Sequence, residues 1–133
     1  MNAMTRIMLL IFACASSYAI SEDSADSCTA ENGGAMAAGL CIEGMLKKAD
    51  EELNMAYKAA IERIREEDKY LKRNLEEEFR ISQRAWLKYR DAHCSFEGES
   101  TGAAGGWSGI HISECILDMT KQRTEYFNQV FWG

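Results

Sequence analysis

The residues best equipped for chemistry in this chain are five cysteines (Cys14, Cys28, Cys41, Cys94 and Cys115) and two histidines (His93 and His111). A tetrahedral zinc site would want its thiolates in close pairs, and no Cys-x-x-Cys occurs. A redox-active dithiol fails on the same spacing. The histidines are scattered and no His-Glu-x-x-His is present, so neither a metal nor general acid–base catalysis is expected. No nucleophile elbow or ordered Ser/His/Asp set appears. The glycine-rich stretch 97–109 lacks the Gly-Lys-Ser/Thr ending and preceding strand of a phosphate cradle. The expectation is a protein that is not an enzyme and holds no cofactor.

Disulfide chemistry is what remains, and the N-terminus supports it. Arg6 supplies a positive charge, Ile7 to Ala15 is an apolar and small-residue run, and Ser17 and Ala19 sit like the −3 and −1 positions of a cleavage site. This is the layout of a secretory signal peptide over residues 1–19, too short in its apolar part to span a bilayer. Cleavage removes Cys14 and leaves an even four cysteines in residues 20–133, which reads as two disulfides in an oxidising compartment, periplasmic or secreted. A lipid anchor on Cys14 is the weaker alternative, because Phe12 is bulky for a lipoprotein signal. Of three connectivities, the expected one is Cys28–Cys41 and Cys94–Cys115, each closing a short local loop. Either bond would stabilise by roughly 3 kcal/mol in the loop-entropy account.

The elements that must position these cysteines read as helices. The chain has 133 residues, no proline and 47% hydrophobic residues. That suits one helical domain and argues against a loop-rich sandwich. Residues 21–39 read as a mobile start followed by a short helical turn that Gly33-Gly34 would break. Leu46, Ala49, Leu53, Tyr57, Ala60 and Ile64 then recur at spacings of three and four, one apolar face of an amphipathic helix. A second stripe runs through Leu71, Leu75, Phe79, Trp86, Tyr89 and Phe96. The two stripes stay in phase, so one long helix from Ile42 to Phe96 is the alternative to a hairpin near Glu66 to Lys69. The hairpin is preferred, because the apolar faces need each other for burial. A glycine-rich loop over 97–109 precedes a last helix from about Ser113, its N-cap, with Ile116, Met119, Arg123, Tyr126, Phe127 and Val130 inward. The fold class is all-α, a small antiparallel bundle of about three helices with two disulfides.

Three stretches resemble a known family. Asp50-Glu51-Glu52-Leu53-Asn54-Met55-Ala56-Tyr57 is similar to its Asp-x-x-Leu-Asn-x-x-Tyr start, and Gln83 to Cys94 to its most specific motif, Gln-x-x-Trp-x-x-x-Arg-Asp-x-x-Cys. Gly105-Gly106, Cys115, Thr120 and Arg123 follow its later pattern, with Trp107 as a departure after the paired glycines. The chain thus resembles the secreted bacterial LprI-like lysozyme-inhibitor family from about Cys28 to Phe127. The resemblance implies a helical fold outside the cytoplasm and lysozyme inhibition.

Each motif residue has a packing role to weigh against a binding one. Trp86 and Tyr89 at i, i+3 read as core. Asn54, Tyr57, Gln83, Arg90, Asp91, Thr120 and Arg123 read as a hydrogen-bonded polar layer that fixes how the second and last helices dock. Arg90 and Asp91 are adjacent and point apart, so Arg90 is expected to pair with Glu97 or with a carboxylate on another helix.

With net charge −6, made more acidic by loss of Arg6, the chain is a poor nucleic-acid binder. It is a good match for a basic lysozyme. The segment expected to reach such a partner is the loop, through Glu97, Glu99, Trp107 and Ser108. The alternative is an envelope adaptor that binds another envelope protein, or a second copy of itself, through its amphipathic helices. No transmembrane segment is expected after cleavage.

Overall fold

The computed structural model describes Cys28, residues 33–104 and residues 106–130. The expected signal peptide, its cleavage site and Cys14 lie outside the described residues, as does Gly105. Three helices make up the described fold: α1 (Gly34–Leu71), α2 (Leu75–Ser100) and α3 (Trp107–Val130). They run up, down and up. Cross-helix contacts pair Arg65 with Glu76, Tyr57 with Phe79, Arg90 with Thr120 and Cys94 with Cys115. Helix α3 packs most extensively on α1 and next on α2, whereas α1 and α2 meet little.

The first apolar stripe is the inner face of α1. Ala49, Leu53, Ala60 and Ile64 are buried, with Leu46 and Tyr57 partly so. The alanines on this face allow α3 to approach closely. The core falls into two clusters. One gathers Cys28, Ala38, Ile42 and Ile110, with Met45, Leu46 and Trp107 packed on it. The other gathers Leu53, Ala56 and Phe127 beneath Tyr57, Phe79 and Trp86. Tyr57 stacks on Phe79 at 5.4 Å between centroids, and Phe127 lies tilted 5.2 Å from Phe79. Aromatic pairs at these separations add to simple area burial.

Both disulfides take the expected connectivity. Cys28 is bonded to Cys41 and Cys94 to Cys115, with Cα–Cα separations of 5.7 and 5.5 Å. The second clamps α2 to α3 beside their closest approach. At Gly98 a Cβ would stand 2.9 Å from the Ile112 nitrogen and 3.0 Å from the Ser108 carbonyl, so the crossing admits only glycine without a backbone shift.

Several boundaries differ from the sequence reading. The hairpin is present, but its break falls at residues 72–74 and not at Glu66 to Lys69. Lys72 itself takes the left-handed conformation (φ 49°, ψ 40°) and its N–H donates to the Asp68 carbonyl at 3.0 Å. The Asp68 carboxylate accepts from the N–H groups of Leu75 and Glu76 at 3.2 and 3.1 Å. One aspartate on the outgoing helix thus caps the incoming one, which is why no glycine or proline was needed. Helix α1 begins at Gly34, earlier than the apolar stripe suggested.

The expected loop 97–109 is shorter, because α2 continues to Ser100 and α3 already starts at Trp107. Ser113 is inside α3 and not its N-cap; its hydroxyl donates to the Gly109 carbonyl at 3.0 Å. Leu71, Tyr89 and Phe96 of the second stripe are exposed and not core, and Tyr126 of the last helix is also exposed. The deepest side chains of α3 are Leu117, Thr120 and Phe127.

Candidate functional site

On α1, Asp50, Leu53, Asn54 and Tyr57 stand at i, i+3, i+4 and i+7 and so share one face. On α2, Gln83, Trp86 and Arg90 do the same, and α3 contributes Thr120 and Arg123. The structure brings these motif residues together in one layer across the middle of the bundle. Arg90 is its hub. Its side chain is 12% exposed; Nη1 donates to Thr120 Oγ1 at 3.0 Å and lies 3.7 Å from Asp50 Oδ1. Nε and Nη2 reach Asp91 Oδ1 at 2.9 and 2.8 Å.

Of the two expected partners, Glu97 is not engaged, whereas the carboxylate on another helix is present as Asp50 of α1; adjacent Asp91, expected to point away, also pairs. The flexible guanidinium folds back onto its neighbour, which separation of Cβ directions alone does not prevent. Glu97 instead meets His93 at 3.2 Å, one turn away.

Arg123 closes the layer from α3. Its Nε donates to Oε1 of buried Gln83 at 3.0 Å, and its guanidinium lies over the rings of Trp86, Tyr126 and Phe127 at 5.3, 5.1 and 4.7 Å. Arg90 also lies over Trp86, at 5.4 Å. Burial pushes the Arg123 guanidinium below the usual arginine value, with Tyr126 opposing the shift. The rings replace part of the lost hydration by cation–π attraction.

Because α1 and α2 meet little, the layer opens on their side into a groove of about 420 Å³ lined by Asp50, Asn54, Tyr57, Gln83, Arg84 and Arg90. Its far wall is the hairpin clasp. Glu76 accepts from Arg65 Nε at 2.8 Å and from Arg80 Nη2 at 2.6 Å, while Arg80 Nη1 donates to the Tyr57 hydroxyl at 3.4 Å. Hydrogen bonds from Arg65, then Arg80, hold the Glu76 carboxyl down to about 2. Sequence reasoning found the motif positions and the four-residue spacing of Glu76 and Arg80 but missed Arg84, the groove and the link from Arg80 to Tyr57. The available signal was the shared face of Asp50, Asn54 and Tyr57.

The four expected contact residues divide into two kinds. Glu97 and Glu99 are exposed on the last turn of α2. Trp107 packs against the Cys28 cluster, and the Ser108 hydroxyl donates to the Gly98 carbonyl at 3.1 Å. His93, Glu97 and Cys115 carry ligand-type atoms within 4.8 Å of one another. Cys115 is spent in a disulfide and offers no thiolate, so the set reduces to two donors on one exposed helical turn.

With this geometry in place, comparison defines the class. The chain matches the family described as Lysozyme inhibitor LprI over residues 28–127, which spans all three helices almost to their end. It belongs to that family. It is 30% identical over 92 residues to an uncharacterized protein of Rhizobium meliloti (strain 1021), covering 64% of this chain and 65% of the relative's length. No solved structure matches. The two disulfides and the family are consistent with a protein outside the cytoplasm, and no helix among the described residues is long and apolar enough to cross a membrane.

Proposed function

We propose that this chain works outside the cytoplasm as a protein inhibitor of a lysozyme, and that it acts by docking and not by chemistry. The observation that carries the reading is that the family match covers nearly all of the three-helix unit. On this reading the leader over residues 1–19 is removed and the domain is released to the periplasm or the medium. A lipid on Cys14 would leave it on the same side of the membrane.

Electrostatics supports the partner. A net charge of −6 attracts a basic enzyme and raises its encounter rate. Exposed Glu97 and Glu99 supply contact charge at the loop end, while Trp107 and Ser108 hold the loop in place from beneath. The test is a cell-wall turbidity assay with purified basic lysozyme and a molar excess of the oxidised protein, at low and high salt. Inhibition that weakens as salt rises is the expected result. Full lysozyme activity at low salt refutes the reading.

A second reading, an envelope adaptor that pairs with another copy of itself, draws on the exposed apolar side chains of α2. Size-exclusion chromatography with light scattering separates the two: a monomer supports the inhibitor, a dimer that dissociates on dilution supports the adaptor.

A further inference from the structure

Helix α2 buries little for its length: only Gln83, Cys94 and Gly98 are buried. Its opposite face carries Ile81, Ala85, Tyr89, Ala92 and Phe96, all exposed, with Ile81, Tyr89 and Phe96 at 53%, 57% and 72%. Spacings of four, four, three and four place these five on one helical stripe. That stripe is diametrically opposite the side that grips α3. A solvated helix face ordinarily carries charge, and a continuous apolar strip of this kind marks an interaction surface. Exposed Glu78 and Glu99 project within the same face at its two ends, and Lys88 lies at its edge.

We propose that the outward face of α2, from Glu78 to Glu99, is the docking surface for a basic globular protein, with Tyr89 and Phe96 as its apolar anchors. The inference rests on the inhibitor reading only for which basic protein is bound. The charge pattern chooses the occupant. Two copies laid antiparallel with their apolar side chains interleaved would set Glu78 of one against Glu99 of the other. Laid parallel, each glutamate would meet itself. Like charges at both ends oppose self-pairing, whereas a basic surface satisfies both. Exposed aromatics that lose little conformational freedom on contact are the side chains that anchor such interfaces. The face runs out to exposed Glu99 on the last turn of α2, so a partner seated there reaches the loop end.

The experiment uses the oxidised chain, the double variant Tyr89→Ser/Phe96→Ser, and Tyr70→Ser as a control on a still more exposed tyrosine near the hairpin. Binding to immobilised purified basic lysozyme is measured beside inhibition of that enzyme. Circular dichroism and thermal melting confirm that the variants fold. The double variant should bind about tenfold or more weakly, with the control unchanged. Inhibition by all three proteins alike would overturn this surface and leave the inhibitor reading standing. Binding that the double variant loses, without inhibition by any protein, would support the surface and refute the inhibitor reading. A parent chain that does not bind refutes both. A dimer of the parent that the double variant abolishes overturns the basic partner in favour of a second copy.

Discussion

The two long faces of α2 differ in material and in use, and not in the direction that hydrophobicity suggests. Inward, Gln83, Trp86, Arg90, Cys94 and Gly98 lock the helix to α3 with three cross-helix hydrogen bonds, a disulfide and a crossing that has no room for a Cβ. Outward, Ile81, Tyr89 and Phe96 touch water. The inner face is the more polar of the two in sequence and the more buried in structure. The difference teaches that hydrophobicity alone does not say which side of a helix is inside. A guanidinium whose donors are satisfied and whose flat face rests on indole is well suited to burial, whereas an unpartnered phenyl ring is well suited to a docking site.

The contrast can be broken most forcefully at the disulfide. Replacing Cys94 and Cys115 together by alanine should lower unfolding stability by about 3 kcal/mol in the loop-entropy account, measured by urea denaturation. A loss well under 1 kcal/mol would mean that the clamp merely decorates a pair of helices already fixed by packing. Next in size is Arg90→Ala, which strands the buried Thr120 hydroxyl and removes a cation from Trp86. A loss of about 1.5–3 kcal/mol is expected, with far-ultraviolet dichroism unchanged. An Arg90 variant of normal stability that no longer binds lysozyme would move the inner layer from structure to recognition.

The smallest effect sharpens the comparison from outside both faces. Glu76 in the hairpin clasp has its carboxyl lowered from 4.5 to about 2. A depressed carboxyl contributes stability that is fully present above the unfolded value and disappears as pH falls through the folded one. The parent should therefore lose stability between about pH 4.5 and pH 2, and Glu76→Gln should flatten that part of the curve. Since the group is still partly open to solvent, the change is modest and salt-sensitive.

Much of this arrangement is legible in the sequence. The four- and three-residue recurrence from Ala49 to Ile64 gives α1 its inner face, and cysteine placement gives both bonds. What misleads is α2. The step from Trp86 to Tyr89 turns the stripe by about 60°, and the seven-residue step to Phe96 carries it about 20° further. Residues counted as one stripe therefore belong to two faces. In α3 the offset is a single residue. Thr120 is fully buried and polar, so an apolar pattern passes over it and over Leu117, and settles on exposed Tyr126. The hairpin hides for a different reason, since its cap comes from Asp68 across the turn and not from the residue beside the helix start.

The most direct test is hydroxyl-radical footprinting of the oxidised chain with and without purified basic lysozyme, read at individual aromatic residues. Tyr89 and Phe96 should label rapidly alone and become protected in the complex. Phe127 should label slowly in both states and Tyr70 rapidly in both. Complex formation that leaves Tyr89 and Phe96 labelling as fast as before, with protection appearing elsewhere, would contradict the assignment of the outward face of α2 to recognition.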